Sequence, residues 1–347
     1  MQRHRIAVAL QGGGSHGAYT WGILDRLLSE ESLEIVGISG TSAGAMNAGI
    51  LADGLLRGGA ERAKVALAGY WNDVGRLPGF VKALTPPLPG ADQSWHLDRN
   101  PLYLWLDMLT RIWSPYDTNP LNYNPLRPLL ERIDFAGLRT DATAPRVFIG
   151  TTNVRTGLRR IFENHELSID VLLASACLPM LYQAVEIDGE HYWDGGYTGN
   201  PPLAPLYLRT TASDVVIIGI NPLQRAQVPR TAREIISRVD EISFNSTFLL
   251  ELGAIAFVEG LLARGMQSPI KPVRVHQITG EALGSLGASS KMNNDPSFLR
   301  YLHRMGWDTA DGWISDSMHC VGVRSSFDLS GFIPVPNSEA LASRLVA

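Results

Sequence analysis

The sequence predicts an α/β protein in which helices cover both faces of a mostly parallel central sheet. Short apolar runs rich in β-branched residues alternate with helical segments along the first part of the chain. A glycine-rich loop follows the first of these runs, and a Gly-x-Ser-x-Gly turn follows the second. Strands that alternate with helices pair in parallel through right-handed crossovers, so we expect helices on both faces of the sheet.

Composition indicates an ordinary globular protein. The chain has 347 residues, 45% hydrophobic and 18% charged, enough for one large domain or two modest ones. The net charge of −4 and the pI near 6.1 give no indication of a nucleic-acid partner. Cys177 and Cys320 are far apart in sequence and lack metal-binding or redox spacing, which fits a reducing compartment.

The N-terminus superficially resembles a signal peptide, because a basic start precedes the apolar run 6–10. That run is too short and leads directly into glycines, so we interpret it as the first strand. No uninterrupted apolar run reaches about 18 residues, so we expect no membrane-spanning helix. A cytoplasmic location follows as the expectation, with peripheral membrane contact left open.

The elements of the first part are predicted from hydrophobic periodicity. Strand 6–10 precedes an amphipathic helix at 18–30, strand 33–39 precedes the serine turn, and helices follow at 43–56 and 60–74. A long insertion at 77–128 then interrupts the alternation, and its residues 102–113 predict a short apolar helix. Its many prolines and aromatic residues fit either a lid or binding loop or an ordinary packed excursion.

The alternation resumes after the insertion. The pattern predicts strands at 145–153, 159–163, 214–221 and 273–278, and helices at 169–176, 231–264 and 296–315. The long helix 231–264 has a wide apolar surface and an optional break near Gly253. That surface can pack on the sheet, on a partner subunit or on a membrane, and we favour burial within the fold. We divide the chain into a catalytic domain, 1–222, and a helical C-terminal extension, 223–347, packed on or continuing it.

The most informative motif is Gly40-Thr41-Ser42-Ala43-Gly44. A serine on a sharp turn between a strand and a helix has its hydroxyl exposed at the edge of the sheet, and flanking glycines permit the tight turn. The helix N-terminus can stabilise negative charge on a reacting oxygen. Ser42 is therefore the candidate nucleophile, and the alternative is a helix-capping serine in a tight turn.

The loop Gly12-Gly13-Gly14-Ser15-His16-Gly17 follows the first strand and can direct several backbone amides at one anion. It fits a dinucleotide phosphate loop or an oxyanion hole. A dinucleotide site also needs an acidic residue after the second strand, but that strand leads into Gly40 and the serine turn. A Walker A loop is excluded because no Gly-Lys-Ser/Thr follows. We therefore favour the oxyanion hole.

Asp194, in Asp194-Gly195-Gly196, is the candidate proton acceptor for the serine. It follows a predicted hairpin, 185–193, with its turn at Asp188-Gly189, and the following glycine amides can fix its carboxylate. An ordinary Asp-Gly turn is the alternative. His16, His165 and His191 lie in no motif typical of a catalytic base, although spacing leaves a histidine base open.

Four blocks in order resemble those of the patatin-like phospholipases: the glycine-rich loop, Gly40–Gly44, Ala174-Ser175-Ala176-Cys177-Leu178-Pro179 and Asp194-Gly195-Gly196. The resemblance spans roughly residues 5–222. It implies a three-layer α/β/α patatin-like fold with a nucleophile elbow, a Ser42–Asp194 dyad and an oxyanion hole from the amides of Gly12, Gly13 and Gly14. It also implies no essential histidine, metal or cofactor, with Gly40, Gly44, Gly195 and Gly196 in supporting positions.

One departure from that family concerns His16, since the family usually has arginine or lysine there. A permanent charge is thereby replaced by a titratable one, which affects the expected pH range of activity. A nearby carboxylate or oxyanion would raise the pKa of His16 above about 6.5. The alternative is that His16 only packs against the first helix.

The function expected from these features is a serine acyl hydrolase that cleaves lipid esters, of the phospholipase A or lysophospholipase type. A second enzymatic hypothesis keeps the dyad and takes a stored polyester or a triacylglycerol as substrate. A hypothesis of another class is a non-catalytic lipid- or nucleotide-binding module that uses the glycine loop. A homodimer is left open.

Overall fold

A mixed, mostly parallel eight-stranded sheet forms the centre of the protein. The structure is a computed structural model, and it describes residues 3–77, 95, 97, 100–110, 112–225, 228–265, 271–280, 283–284 and 286–332. The strands are β1 His4–Leu10, β2 Leu33–Gly40, β3 Arg146–Asn153, β4 Arg159–Glu163, β5 Val185–Ile187, β6 Glu190–Asp194, β7 Asp214–Gly219 and β8 Arg274–Thr279. Their order is β5-β6-β3-β2-β1-β7-β8, with β4 also paired to β3.

Helices connect and cover these strands. They are α1 Gly17–Leu28, α2 Ala43–Val74, α3 Pro101–Thr110, α4 Pro115–Thr118, α5 Arg127–Leu130, α6 Phe135–Thr140, α7 Ile169–Ser175, α8 Ala204–Arg209, α9 Ala232–Ala263 and α10 Pro296–Ser317.

Strand β1 is buried on both faces and separates two hydrophobic cores. Ile6, Val8 and Leu10 belong to a core that includes residues of α1, α2 and α10. Ala7 and Ala9 point the other way, into a core that includes residues of α8 and α9. Because side chains alternate along a strand, this pattern places one helical layer on each face of the sheet. The predicted three-layer α/β/α fold is confirmed.

Most predicted elements are confirmed with bounds that differ by one or two residues. The alternation of strands and helices predicts parallel pairing, but β4, β5 and β6 join the sheet through antiparallel pairs. The two predicted helices 43–56 and 60–74 are confirmed: they are the two parts of α2, and they meet at a kink where Gly58 and Gly59 leave the helical conformation. The predicted possible break of the long helix near Gly253 is wrong, because α9 is continuous there. Gly253 instead leaves room for the carbonyl oxygen of Phe332, which would lie 3.1 Å from an added Cβ.

Part of the predicted insertion, residues 78–94, 96, 98–99 and 111, lies outside the described residues. The described remainder contains α3, α4 and α5, and the predicted helix 102–113 corresponds to α3. Beyond residue 222, β8 pairs in parallel with β7 at the edge of the sheet, and α10 packs on α1. Because α9 packs on the opposite face, the C-terminal part extends the sheet and both helical layers.

Helices α1 and α10 approach each other closely through two glycines. A Cβ on Gly22 would overlap the carbonyl oxygen of His303, and a Cβ on Gly306 would overlap that of Tyr19. Both obstacles are backbone atoms, which cannot move without separating the helices.

We predict that Gly306→Ala destabilises the protein, because the added methyl group forces the two helices apart. Overpacking of this kind costs about 1–3 kcal/mol. Gly312→Ala is the matched control in the same helix: in the described part of the chain, no atom beyond its chain neighbours and the nearby backbone of α10 lies within 4 Å of the added Cβ. It should stabilise the protein by about 0.5–1 kcal/mol through helix propensity. Urea denaturation measures both free energies of unfolding, and equal effects of the two variants would contradict the close approach.

Candidate active site

The pairing of β3 explains why residues distant in sequence meet at one point. Strand β2 pairs with β3 as far as Gly40 and Ile149, and β6 pairs with β3 further along, where Asp194 lies opposite Thr151. Strand β4 pairs with residues 148–152 of β3, which overlap both the segment paired with β2 and the segment paired with β6. Strand β4 must therefore lie on the edge of β3 opposite to β2 and β6. Strands β2 and β6 therefore share one edge of β3, end to end, and Asp194 lies just beyond the point where β2 ends in the serine turn.

Ser42 occupies a strained backbone conformation in that turn. Its φ is 57° and its ψ is −124°, outside the regions that residues with a Cβ favour. The Ser42 amide donates to Ser175 Oγ at 3.0 Å, and Ser175 Oγ donates to the Gly150 carbonyl at 2.6 Å. Ser175 thus connects the turn to the middle of β3 and holds the strained conformation.

The flanking glycines of the turn are required by sterics. A Cβ on Gly44 would overlap the carbonyl oxygen of Leu10, and one on Gly40 would overlap that of Gly44. Thr41 secures the turn from the other side, since its Oγ1 donates to the Gly199 carbonyl at 2.7 Å. Ser42 itself is half-buried, and its side chain borders a cavity.

Asp194 is fully buried at the end of β6. Its amide donates to the Cys177 carbonyl at 2.8 Å, and its Oδ1 accepts from the Gly196 amide at 2.7 Å. Burial raises the pKa of Asp194 to about 6, and hydrogen bonding from the Gly196 amide and the Ser42 hydroxyl partly opposes that rise. Among the described residues, Asp194 Oδ2 has no partner within standard hydrogen-bond geometry. The interaction between the Ser42 hydroxyl and the Asp194 carboxylate is therefore weaker than a standard hydrogen bond.

The glycine loop lies directly against this pair. A Cβ on Gly12 would be only 2.6 Å from the Cβ of Ser42. The Gly12 amide already donates to Asn200 Oδ1 at 2.7 Å, and the Gly12 carbonyl accepts from Asn221 Nδ2 at 2.8 Å. Gly14 has a φ of +58°, and a Cβ there would clash with the carbonyl of Lys291.

Sequence reasoning assigned no role to Ser175, Asn200 or Asn221. Both asparagines precede a proline, which is a turn signal, and Asn221 is the last residue of the predicted strand 214–221. The Asn-Pro pairs could have indicated ordered turns at these positions. They give no indication that the two asparagine side chains bind Gly12.

His16 is buried, with its Nε2 2.7 Å from Ser290 Oγ. Because Ser290 Oγ donates to the Gly287 carbonyl, His16 Nε2–H is the donor in the other hydrogen bond. Burial, with a smaller effect of Lys291, lowers the pKa of His16 to about 3. The expectation that His16 titrates with a raised pKa is therefore wrong, because desolvation dominates and the ring is neutral near pH 7.

Lys291, rather than His16, brings a basic side chain to the glycine loop. It lies in the 3₁₀ turn Ala288–Met292, and its Nζ donates to Asn221 Oδ1 at 2.8 Å. Asn221 in turn binds Gly12, so Lys291 supports the loop through one intermediate side chain. Burial lowers the pKa of Lys291, while the charges of Glu241 and Asp240 raise it.

No histidine is among the hydrogen-bonding partners of Ser42 and Asp194 in the described part of the chain. His165 and His191 are exposed beside Glu166 and Glu186. A buried Ser326–His276–Asp214 cluster does have triad-like contacts of 2.9 and 3.1 Å.

That cluster lies at the other end of the sheet from Ser42. Asp214 pairs with Ile6 near the start of β1, about 13 Å along the strand from Leu10. Arg274 also binds the Asp214 carboxylate, at 2.9 and 2.8 Å, and the Gly322 amide donates to it. These contacts tie the C-terminal segment to the sheet.

A large cavity opens onto Ser42, Asp194 and the glycine loop, with a volume of about 2030 Å³. Its wall beside Ser42 is mainly apolar, with Met46, Trp71 and Leu178 among its residues. Typical small-molecule sites have volumes of about 300–1,000 Å³, so this cavity has room for long chains. In the ranges that the structure describes, no cluster of His, Cys, Asp and Glu side chains is arranged to hold a metal ion.

We predict that His16→Gln flattens the loss of stability in acid. In the wild type the unfolded chain binds a proton below pH 6.5, while folded His16 stays neutral down to about pH 3. Between those values protonation favours unfolding, by up to about 1.4 kcal/mol per pH unit. Urea denaturation from pH 7 to 4 should therefore give a shallower curve for the variant. Parallel curves of stability against pH for the two proteins would contradict a neutral buried His16. The titration of Asp194 changes the stability of both proteins equally, so it does not affect the comparison.

Comparison with family models identifies the family of this chain. The sequence model described as patatin-like phospholipase matches residues 8–207, more than half of the chain. A structural neighbour is VipD from Legionella pneumophila, with 15% identity, coverage of 90% of this chain and 67% of that chain, and a TM-score of 0.42. Curated proteins give no match. Because the family match spans more than half of the chain, the chain belongs to the patatin-like phospholipases, a family of lipid acyl hydrolases.

Proposed function

We propose that this protein hydrolyses acyl esters of lipids with Ser42 as nucleophile and Asp194 as general base. The observation that supports this most directly is the juxtaposition of a serine in a strained turn with a buried carboxylate. The pKa of that carboxylate is raised to about 6. Strained backbone and a displaced pKa at one position are typical of catalytic sites.

In the proposed reaction, ionised Asp194 accepts the proton of Ser42 Oγ as the oxygen attacks the ester carbonyl carbon. The tetrahedral intermediate collapses with cleavage of the bond to the alcohol, and Asp194 returns the proton to that leaving oxygen. Asp194 then deprotonates a water molecule that attacks the acyl-enzyme. The fatty acid leaves, and Ser42 regains its proton from Asp194.

The developing oxyanion needs hydrogen-bond donors that are not already engaged. The amide of Gly12 is bound to Asn200, so we assign the donor role to the amides of Gly13 and Gly14. The N-terminus of α2 at Ala43 adds a partial positive charge on the same side. Gly12 then serves to let the loop approach Ser42 closely.

Cys177 lies beside Asp194 but is a poor alternative nucleophile. Burial, together with the charge of Asp194, raises the pKa of Cys177 to about 12. The thiol is therefore un-ionised at neutral pH, and a neutral thiol reacts far more slowly than a thiolate.

The size of the cavity and its apolar wall beside Ser42 favour a substrate with long acyl chains. A phospholipid, a triacylglycerol and a storage polyester share the ester group that the dyad would attack. Hydrolysis of a panel of all three, with a soluble butyrate ester beside them, separates these substrate classes.

We predict that Ser42→Ala and Asp194→Asn each lower kcat for the best ester of that panel by about 10³-fold or more. The first variant removes the attacking oxygen, and the second keeps the shape of the carboxylate but removes its basicity. Ser315→Ala, an exposed serine on α10, is the matched control and should keep full activity. Turnover of Ser42→Ala within a few-fold of the wild type would exclude the mechanism. Bound lipid without turnover in the wild type would indicate a binding module.

A further inference from the structure

Helix α9 has a row of apolar residues, the apolar stripe, on its exposed side. The stripe consists of Ile235, Val239, Ile242, Leu249, Leu250 and Phe257, all exposed. These positions lie on one face of a helix, because their spacings follow the 3.6-residue period. The intervening positions of that face, Ser246 and Gly253, are also uncharged. The stripe extends for about 33 Å at 1.5 Å per residue.

The opposite face of α9 holds the helix to the protein. Phe248, Leu252 and Ile255 are buried in the core against the sheet. Glu251 accepts hydrogen bonds from the amides of Leu203 and Ala204 and pairs with Arg159. The helix is therefore fixed in the fold with its stripe directed outward.

A second apolar surface, the aromatic patch, lies at the end of α3 in the insertion. It consists of Trp105, Met108, Ile112 and Trp113, all more than half exposed. Residues 105 and 108 share a face of α3 by their spacing, and residues 112 and 113 follow just beyond the end of that helix. Tryptophan is enriched where protein meets the boundary between lipid and water, because its ring is apolar and its N–H is polar.

Both surfaces adjoin the catalytic cavity. Tyr103 of α3 and Ile236 and Phe244 of α9 line that cavity, and Ile236 is itself partly exposed beside the stripe. Val228, just before α9, also lines the cavity and is among the most exposed apolar residues. Exposed apolar side chains thus continue outward from the walls of the cavity on two separate elements.

We propose that the apolar stripe and the aromatic patch dock the protein on the surface of a lipid bilayer, with the cavity opening toward the lipid. This inference rests on the proposed function, because an enzyme that hydrolyses lipid esters must reach the bilayer in which they reside. Isolated exposed apolar residues are normal, but two groups of exposed apolar residues on the two helices that line one cavity indicate an interaction site.

The helix lies in the interface and does not cross the membrane. By length and composition alone, the segment Glu234–Leu262 could span a bilayer. The sequence contains no uninterrupted apolar run of about 18 residues, so the apolar pattern by itself predicts no such segment. Crossing would, however, expose Glu251 to hydrocarbon and strip Phe248 and Leu252 from the core. An interfacial helix keeps these contacts and buries only its outer face.

A second copy of the chain fits this surface less well than lipid does. The stripe and the patch lie on the two helices that supply Ile236 and Tyr103 to the cavity wall, so a protein packed on both helices would lie close to the path of the substrate. The positions of the stripe have no charges that could select a protein partner or fix its register. Binding to lipid should therefore depend little on salt.

The test uses Ser42→Ala as the background, so that no lipid is consumed, and phosphatidylcholine vesicles in a flotation assay. The background protein should bind these uncharged vesicles equally at low salt and in 1 M NaCl. Adding Leu250→Glu or Ile242→Glu should weaken binding by about tenfold or more, because a charge enters the buried stripe. Val323→Glu is the matched control: Val323 and Leu250 are both 73% exposed. Val323 adjoins Gly322, which binds Asp214 at the far end of the sheet.

In the otherwise wild-type chain, Leu250→Glu and Ile242→Glu should leave hydrolysis of a soluble butyrate ester unchanged. Loss of vesicle binding with retained ester hydrolysis in those variants supports the docking surface. Absence of vesicle binding in the background protein overturns it, even if the wild type hydrolyses esters. Binding that requires anionic lipid and disappears in 1 M NaCl overturns it as well. A dimer in sedimentation velocity that Leu250→Glu dissociates, without vesicle binding, assigns the face to a second copy. Failure of ester hydrolysis alone contradicts the proposed function and leaves the vesicle result to decide docking.

Discussion

The site depends on the way in which two strands share one edge of β3. Strand β2 ends at the serine turn, and β6 continues along the same edge, which places Asp194 beside Ser42. Ser175 then links the Ser42 amide to the Gly150 carbonyl in the middle of β3. A strained residue of this kind costs about 1–3 kcal/mol, so the surrounding hydrogen bonds and tight packing must maintain it. The same contacts that preserve the strained turn therefore keep Ser42 beside the carboxylate of Asp194.

Burial sets the protonation of the groups around this turn. It raises the pKa of Asp194 and lowers that of His16, so that both are shifted toward the neutral form. Asp194 remains near the physiological range because the Gly196 amide and the Ser42 hydroxyl favour its charged form. His16 has no comparable partner for a second proton, since its Nδ1 is buried without a hydrogen bond in the described structure. The carboxylate is consequently able to exchange a proton at working pH, whereas the imidazole is not.

Local patterns were sufficient to predict most elements, the serine turn and the aspartate that follows the hairpin. These features depend on neighbouring residues, such as the glycines beside Ser42 and the Asp188-Gly189 turn. The partners of the glycine loop could not be predicted, because Asn200, Asn221 and Lys291 reach it from distant parts of the chain. The burial of His16 has the same origin, since Ser290 covers it from the C-terminal part. A local pattern also could not show which face of α9 is buried, because that depends on contacts with the sheet.

The most direct measurement of the proposed dyad is the rate at which a fluorophosphonate modifies the protein across pH, with the modified residue identified by peptide mass spectrometry. The account predicts one adduct, on Ser42, formed as Oγ attacks phosphorus and fluoride leaves. The rate should rise with pH to a plateau with a midpoint near 6, where Asp194 ionises. Asp194→Asn should lose both the fast reaction and its pH dependence. An adduct on another residue, or modification of Ser42 at a rate independent of both pH and Asp194, would contradict the account.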